Sequence, residues 1–270
     1  DYSVEYLEKY RENLLEAVAE TSEEFMDRYF GGEEFSVAEI SAALHSEIID
    51  GSIVPVSLGS STELKGVANL LNDIIGYLPD PSKRKFAGLN LKTKEVFQAD
   101  YDFSKTKSAY IFKTIVDPFI GKYSMIKVCS GSIKSDDTLY NADTDNEEKI
   151  SKLYVFEGNK PIEVKELMAG DIGAIGKLNA FTGNTLSTKA NPIQYGKMDL
   201  PVPYTYKRYK AKVKGEDDKV SQALSKMMQE DLTMKSVNDA ENRQTLLYGM
   251  GDQHLDIIAS KLVTKYKVEV

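Results

Sequence analysis

The stretch YGMGDQHLDII, Tyr248–Ile258, holds two glycines one residue apart, an acid, and one of only two histidines in the chain. Those residue types could build a phosphate cradle beside a general base. The rest of the sequence does not supply the remaining parts. It has no GxxxxGK(S/T) loop, no GxGxxG after a strand pattern and no HExxH pair. Two histidines cannot furnish a His-rich metal site, and neither lies beside a Ser or Cys in a nucleophile motif. Carboxylates are plentiful, but most lie on helical patterns in residues 1–50, where solvated charge is their ordinary use. The stretch therefore reads as a strand-to-helix junction. Gly249 and Gly251 suit a tight turn with close backbone approach. Asp252 is placed to cap or charge-stabilise a helix starting near Gln253. His254 falls in its first turn as a local hydrogen-bonding group, and Leu255, Ile258 and Leu262 enter the core.

A second candidate is YTYKRYKAKVK, Tyr204–Lys214, with five basic residues, three tyrosines and no acids. Bases stack on tyrosine and phosphates pair with Lys and Arg, so the pattern suits RNA. An edge strand that uses Lys to discourage aggregation has the same composition. The single cysteine, Cys129, lies in the alternating run SMIKVCSGS and reads as a small buried hydrophobe rather than a reactive thiol. It also excludes an internal disulfide, which fits a reducing cytoplasm.

These candidates sit on a chain of 270 residues, 41% hydrophobic and 28% charged, an ordinary globular balance for two or three domains. No run of 18 apolar residues is present, so no transmembrane helix is expected. The chain starts at Asp1 with neither Met nor signal peptide, which points to processing or to a piece of something larger. The net charge of −8 is unevenly distributed: residues 1–50 carry 14 acids and 3 bases, a net of −11, leaving +3 for the remainder. An acidic partner such as RNA therefore fits only the later part of the chain.

Three patterns follow one another. The first 50 residues read as helices, with TSEE at Thr21–Glu24 and a capping box at Ser36–Glu39 as start signals. SIVPVSLG then reads as a strand apolar on both faces, as buried parallel strands are, and SSTELKG as a loop. Val67, Leu70, Leu71, Ile74, Ile75 and Leu78 mark an amphipathic helix ended by Pro79 and Pro81. Strand, loop and helix make half of a parallel α/β layer, and no partner strands are visible for it. From about Lys83 to Lys197, short runs such as AYIFKTIV, YSMIKVCS, KISKLYVFE and DIGAIGKL alternate with turn residues, which predicts a closed β-barrel. From about Asp199 the order is β-α-β-β-α and then YKVEV, read as the start of another strand, a split βαβ arrangement.

Short motifs in one order then resemble the elongation factor G family of translational GTPases. Asp117-Pro118-Phe119-Ile120-Gly121 with Ser130-Gly131 looks like the first hairpin of its barrel domain. Gly170–Ala174 and Thr182–Leu186 resemble later turns, Pro201-Val202-Pro203 the approach to the third domain, and Glu230-Asp231 with Gly249-Met250-Gly251 and His254-Leu255 the body of that domain. Glu16–Thr21 and Ile53–Val56 through Gly59-Ser60 resemble the end of the GTPase domain. The family's Gly-Met-Gly-Glu-Leu-His-Leu-Glu is Gly-Met-Gly-Asp-Gln-His-Leu-Asp here, and Leu232 stands where Pro usually follows Glu-Asp, the mark of a divergent member or paralogue.

The resemblance implies a multi-domain α+β fold: the tail of a parallel α/β GTPase domain over 1–82, an elongation-factor-type β-barrel over 83–199, and a split βαβ, ferredoxin-like domain over 200–270. It implies a ribosome-dependent GTPase that promotes translocation, with GTP and magnesium in the full-length parent. The phosphate loop, magnesium ligands and guanine motif would lie upstream of Asp1. Ser60, Ser61 and Thr62 would remain as a loop supporting the guanine base; the family carries Ala where Ser61 stands, and Ser keeps the same backbone N–H. No cofactor, metal or catalytic residue is expected in this piece. Its partner would be the ribosome, through Lys207, Arg208, Lys210 and Lys212, with no membrane or DNA partner, as a cytoplasmic monomer. A tetracycline-resistance ribosomal protection factor shares the build. A stand-alone RNA-binding or scaffold module is the alternative from another class.

Overall fold

A computed structural model describes residues 4–80, 83, 86–117 and 121–270, so Pro81 and the Pro118-Phe119-Ile120 part of the predicted hairpin lie outside the described residues. The chain divides into two compact units, 1–84 and 85–270. Among the described residues no helix is long and apolar enough to cross a membrane.

The first unit is helical: α1 Val4–Ala19, α2 Glu23–Phe30, α3 Val37–Asp50 and α4 Val67–Tyr77. The predicted start signals act as caps. Ser22 Oγ accepts from Phe25 N, and Ser36 and Glu39 form a reciprocal capping box that satisfies two orphan N–H groups of α3. Gly51 closes α3 in the left-handed conformation, φ 81°. Val18, Ala19, Phe35 and Ala43 form the small core. Beside it Arg28 binds Glu39 at 2.8 Å and Glu33 at 3.1 Å. The Arg28 guanidinium, then the Ser36 donors, push the Glu39 carboxyl down to about 2. Helix α4 stops where predicted, with Leu78 extended ahead of Pro79.

The SIVPVSLG segment departs from the sequence expectation. Residues 53–59 form no strand; they run without a pairing partner, with Val54, Val56 and Leu58 exposed at 76%, 81% and 91%. A strand is defined by its ladder, and no described neighbour offers one. The apolar residues of α4, including Leu71 and Ile75, are also largely uncovered.

The second unit carries β1 Ala87–Asn90, β2 Val96–Gln98, β3 Ser108–Asp117, β4 Gly121–Ser130, β5 Ser132–Lys134, β6 Thr138–Asn141, β7 Asn146–Lys149, β8 Leu153–Glu157, β9 Lys160–Val164, β10 Glu166–Met168, β11 Ile172–Gly176, β12 Thr185–Ser187 and β13 Ile193–Tyr195. Eight of them form one antiparallel sheet in the order β7-β6-β12-β3-β4-β11-β8-β9. The predicted runs are β3, β4, β8 and β11. Among the described residues no continuous ladder closes the sheet, since β7 and β9 at its ends are not paired with each other. Both ends nevertheless feed one core: Leu139 and Ile150 from one side pack with Leu153, Ile175 and Ile126. A ribbon of β5 with β10, and a sheet β13-β1-β2, complete the layer. Cys129 is fully buried in a second cluster with Tyr110, Ile193 and Tyr195, and burial pushes its thiol up to about 12, so it is inert as read from sequence.

The C-terminal part has β14 Thr205–Tyr209, α5 Asp217–Glu230, β15 Lys235–Asp239, β16 Gln244–Gly249 and α6 Asp252–Thr264, with sheet order β14-β16-β15. The helices bury Val220, Leu224, Met227, Leu255, Ile258 and Leu262 against Leu247. YKVEV is not a strand: its link to the chain after β14 is one backbone bond, Lys212 N to Glu269 O at 3.0 Å, beyond the point where β14 ends.

Ile126 on β4 is fully buried, opposite Ile111 on β3 and Gly173 on β11. Ile126→Ala is expected to destabilise the second unit by about 2–5 kcal/mol, through lost apolar burial and a residual cavity, read as a lower midpoint in urea.

Candidate functional site

Residues 59–66 close into a small loop. Ser60 N donates to Lys65 O at 3.0 Å in an isolated antiparallel bridge. Gly66 has φ 77°, and a Cβ there would fall 2.9 Å from the Leu58 carbonyl, so glycine is required twice over. Ser60 Oγ accepts from Glu63 N at 3.3 Å and lies 3.2 Å from Thr62 Oγ1. The backbone N–H groups of Ser61 and Thr62 have no partner among the described residues. Ser60, Ser61, Leu58, Val67 and Leu70 line a shallow hollow of about 180 Å³ beside them. Two free donors and an apolar wall can support the edge and face of a planar ring. Lys65, the cation of the loop, is paired with Glu63.

The Tyr248–Ile258 junction is a structural staple. His254 Nδ1 accepts from Met250 N at 3.0 Å, which leaves the ring proton on Nε2 to donate to Asp231 Oδ2 at 2.9 Å. Asp231 also accepts from Thr233 N at 2.9 Å and Thr233 Oγ1 at 2.6 Å. Burial raises the Asp231 pKa, but the Thr233 bonds and His254 outweigh it, and the carboxyl sits below its usual range. The turn after α5 is thereby tied to the first turn of α6. Gly249 allows the approach, since a Cβ would lie 2.9 Å from Leu255 Cδ2. Two details differ from the sequence expectation. Gly251 is extended, and a Cβ added there would meet nothing within 4 Å, so no turn depends on it. Asp252 makes no cap bond; it is the first helical residue and pairs with Lys207 at 3.1 Å. Its charge still opposes the helix dipole favourably.

The basic strand splits by side-chain direction. Lys207 faces α6 and is held by Asp252 and Asp256, and Lys212 is held by Glu269 at 2.6 Å. Arg208 and Lys210 have no carboxylate partner among the described residues and line a hollow of about 380 Å³ with Arg243. Arg243 is a site residue that the sequence patterns miss. It sits at φ 52° in the β15–β16 turn, and the ENRQ hairpin is its only signal. Among the described residues no group of three or more His, Cys, Asp and Glu side chains is placed to hold a metal.

The eight-stranded sheet and the α/β layer meet at Glu230, the last residue of α5. Its Oε1 accepts from Val116 N on β3 at 2.7 Å, and both oxygens accept from Lys265 Nζ at 2.9 and 3.0 Å. A cavity of about 680 Å³ lies alongside, between Thr114, Ile115, Met198, Leu232 and Lys265.

Comparison with known proteins matches these two parts separately. Residues 106–189 match the model for elongation factor G domain 2, and residues 200–270 the model for Elongation Factor G, domain III. Together they account for more than half of the chain. The chain belongs to the elongation factor G family. A crystal structure of a protein from Thermus thermophilus superposes with a TM-score of 0.75 at 28% identity, covering 98% of this chain and 38% of that one. This chain thus spans well under half the length of that relative. The Glu230–Val116 bond is the joint between elongation factor G domains II and III, and the Asp231–His254 staple lies just behind it.

Asp231→Ala is expected to lower the melting temperature of the second unit by about 2–4 °C at neutral pH, roughly 1 kcal/mol. A carboxyl held below its ordinary 3.8 contributes stability above that pH and loses it as pH falls further. The gap between Asp231→Ala and the unaltered chain should therefore be full at about pH 6 and shrink below about pH 4, followed by circular dichroism.

Proposed function

We propose that the chain is the middle of a ribosome-dependent translational GTPase that promotes translocation during protein synthesis. The observation that carries this reading is order: domain II and domain III matches follow, without overlap, a unit whose apolar segment is left exposed by the described residues. Exposed Val54, Val56 and Leu58 beside the bare face of α4 are the pattern of one strand and one helix taken from a larger parallel sheet. On this reading residues 1–82 are the tail of the GTPase domain, and 53–58 join its sheet once partner strands are present. The order β14-α5-β15-β16-α6, with β16 between β14 and β15, supports a split βαβ, ferredoxin-like third domain.

GTP and magnesium belong to the complete protein. Ser60, Ser61 and Thr62 suit the guanine base, because Ser61 and Thr62 present free backbone donors beside an apolar hollow. Triphosphate binding draws on phosphate-loop N–H groups, a lysine and Mg²⁺, and this sequence contains no phosphate-loop motif. The present residues support ribosome docking and interdomain coupling rather than catalysis, with the ribosome as partner in the cytoplasm.

Two measurements test the reading. Calorimetry of this chain with micromolar GTP should show no saturable heat. The coding sequence upstream of Asp1 should contain an in-frame phosphate loop; a start codon adjacent to Asp1 would favour a stand-alone RNA-binding or scaffold module and overturn the proposal.

A further inference from the structure

The two tied lysines, Lys207 and Lys212, direct attention to what the rest of the basic segment leaves free. Residues alternate across a strand, and the pairings fix the two faces. Lys207 and Tyr209 lie on the helix side, where Lys207 meets Asp252 and Asp256 and Tyr209 OH lies 2.9 Å from Ser236 Oγ. Tyr206 and Arg208 lie on the other side, opposite Tyr248 and Leu246 of β16. The core that α5 and α6 form with the sheet lies on the Leu247 side. On the other side Tyr206 and Tyr248 form a tilted pair with centroids 5.1 Å apart, and Tyr206 is 58% exposed. Where this strand ends, Arg208, Lys210 and Arg243 line the hollow of about 380 Å³, whose opposite wall is Asp217, Val220 and Ser221 of α5; Asp217 is the one carboxylate among its described lining residues.

We infer that this face and the adjoining end of the layer bind a single-stranded segment of RNA, with a base on Tyr206 and Tyr248 and the neighbouring phosphates at Arg208, Lys210 and Arg243. The inference rests on the ribosome-docking reading and narrows it to one surface. Charge complementarity selects an anion: three cations without carboxylate partners among the described residues face one acid. The aromatic pair selects RNA over an acidic protein. Bases of any identity stack on a tyrosine face, and the planar guanidinium forks of Arg208 and Arg243 match phosphate oxygens. A carboxylate-rich peptide has no use for the exposed tyrosine pair. The same geometry ranks Lys207 and Lys212 below these three, since each ammonium already lies beside a carboxylate that offsets its charge.

The test measures binding of this chain to a fluorescein-labelled, mixed-sequence RNA of about 12 nucleotides, by anisotropy across a salt series. Arg208→Ala with Arg243→Ala should weaken binding about tenfold or more. It should also flatten the slope of log affinity against log salt by about 1.4, two phosphate contacts at about 0.7 each. Tyr206→Ala should weaken binding about fivefold or more and leave the salt slope unchanged, because stacking releases no counterions. Lys207→Ala and Lys212→Ala should stay within about twofold of the unaltered chain. Unchanged RNA affinity in the double variant, with an unaltered circular dichroism spectrum and melting temperature, overturns the inference; so does competition by oligoglutamate where unlabelled RNA does not compete. Co-sedimentation with ribosomes separates the two readings. If the unaltered chain binds the RNA through these residues but never sediments with ribosomes, the docking reading fails and the RNA face stands. If ribosome binding persists while the double variant keeps its RNA affinity, the RNA face fails and the docking reading stands.

Discussion

One carboxylate joins domains II and III. Glu230 ends α5, takes the Val116 N–H of the barrel strand β3 on one oxygen, and holds Lys265 of its own domain with both. A backbone N–H at a strand edge needs an acceptor, and here a side chain of the neighbouring domain supplies it in place of another strand. A bond between a charged acceptor and a backbone donor is stronger than a neutral one and directional, so it fixes angle as well as distance. Burial alone would lower the Lys265 pKa, yet Glu230 beside it more than offsets this and raises the value, which favours the charged lysine. The Asp231–His254 staple begins one residue later and ties the end of α5 to the start of α6. The bond between the domains and the internal brace of domain III therefore start from adjacent residues of one turn.

What is legible in the sequence divides along the same line. Local signals can be read because their physics is local. Ser22 and Ser36 cap helices through bonds spanning three residues, α4 stops short of Pro79, and β3, β4, β8 and β11 follow runs of Val, Ile, Phe and Tyr between turns. The Glu230–Val116 bond spans 114 positions and the Asp231–His254 bond spans 23, and no periodicity announces either. The pattern places His254 correctly as a hydrogen-bonding group in a first helical turn, while its acid partner stays invisible. Asp252 escapes for a related reason. A cap must sit just outside the helix, and α6 begins one residue earlier than the pattern suggests, turning a cap into a first-turn charge.

The SIVPVSLG segment shows a different limit. Its composition is that of a buried parallel strand, and its exposed, unpaired course does not contradict that composition. Strand character is a property of a pair. Val54, Val56 and Leu58 carry side chains suited to two covered faces, and the described residues provide neither the faces nor the ladder. The sequence specifies what the segment requires, and the fold in which it is found does not meet the requirement.

The basic strand makes the converse point. Composition treats Lys207, Arg208, Lys210 and Lys212 as equivalent, members of an eleven-residue run with five bases and no acid. Pleating makes them unequal. One face turns toward α6, whose Asp252 and Asp256 stand one helical turn apart, and Lys207 pairs with both there. Arg208 points the other way and has no carboxylate partner among the described residues. Net charge thus sets which partners the C-terminal part can meet, and the two-residue period of β14 sets which cations remain free to meet them.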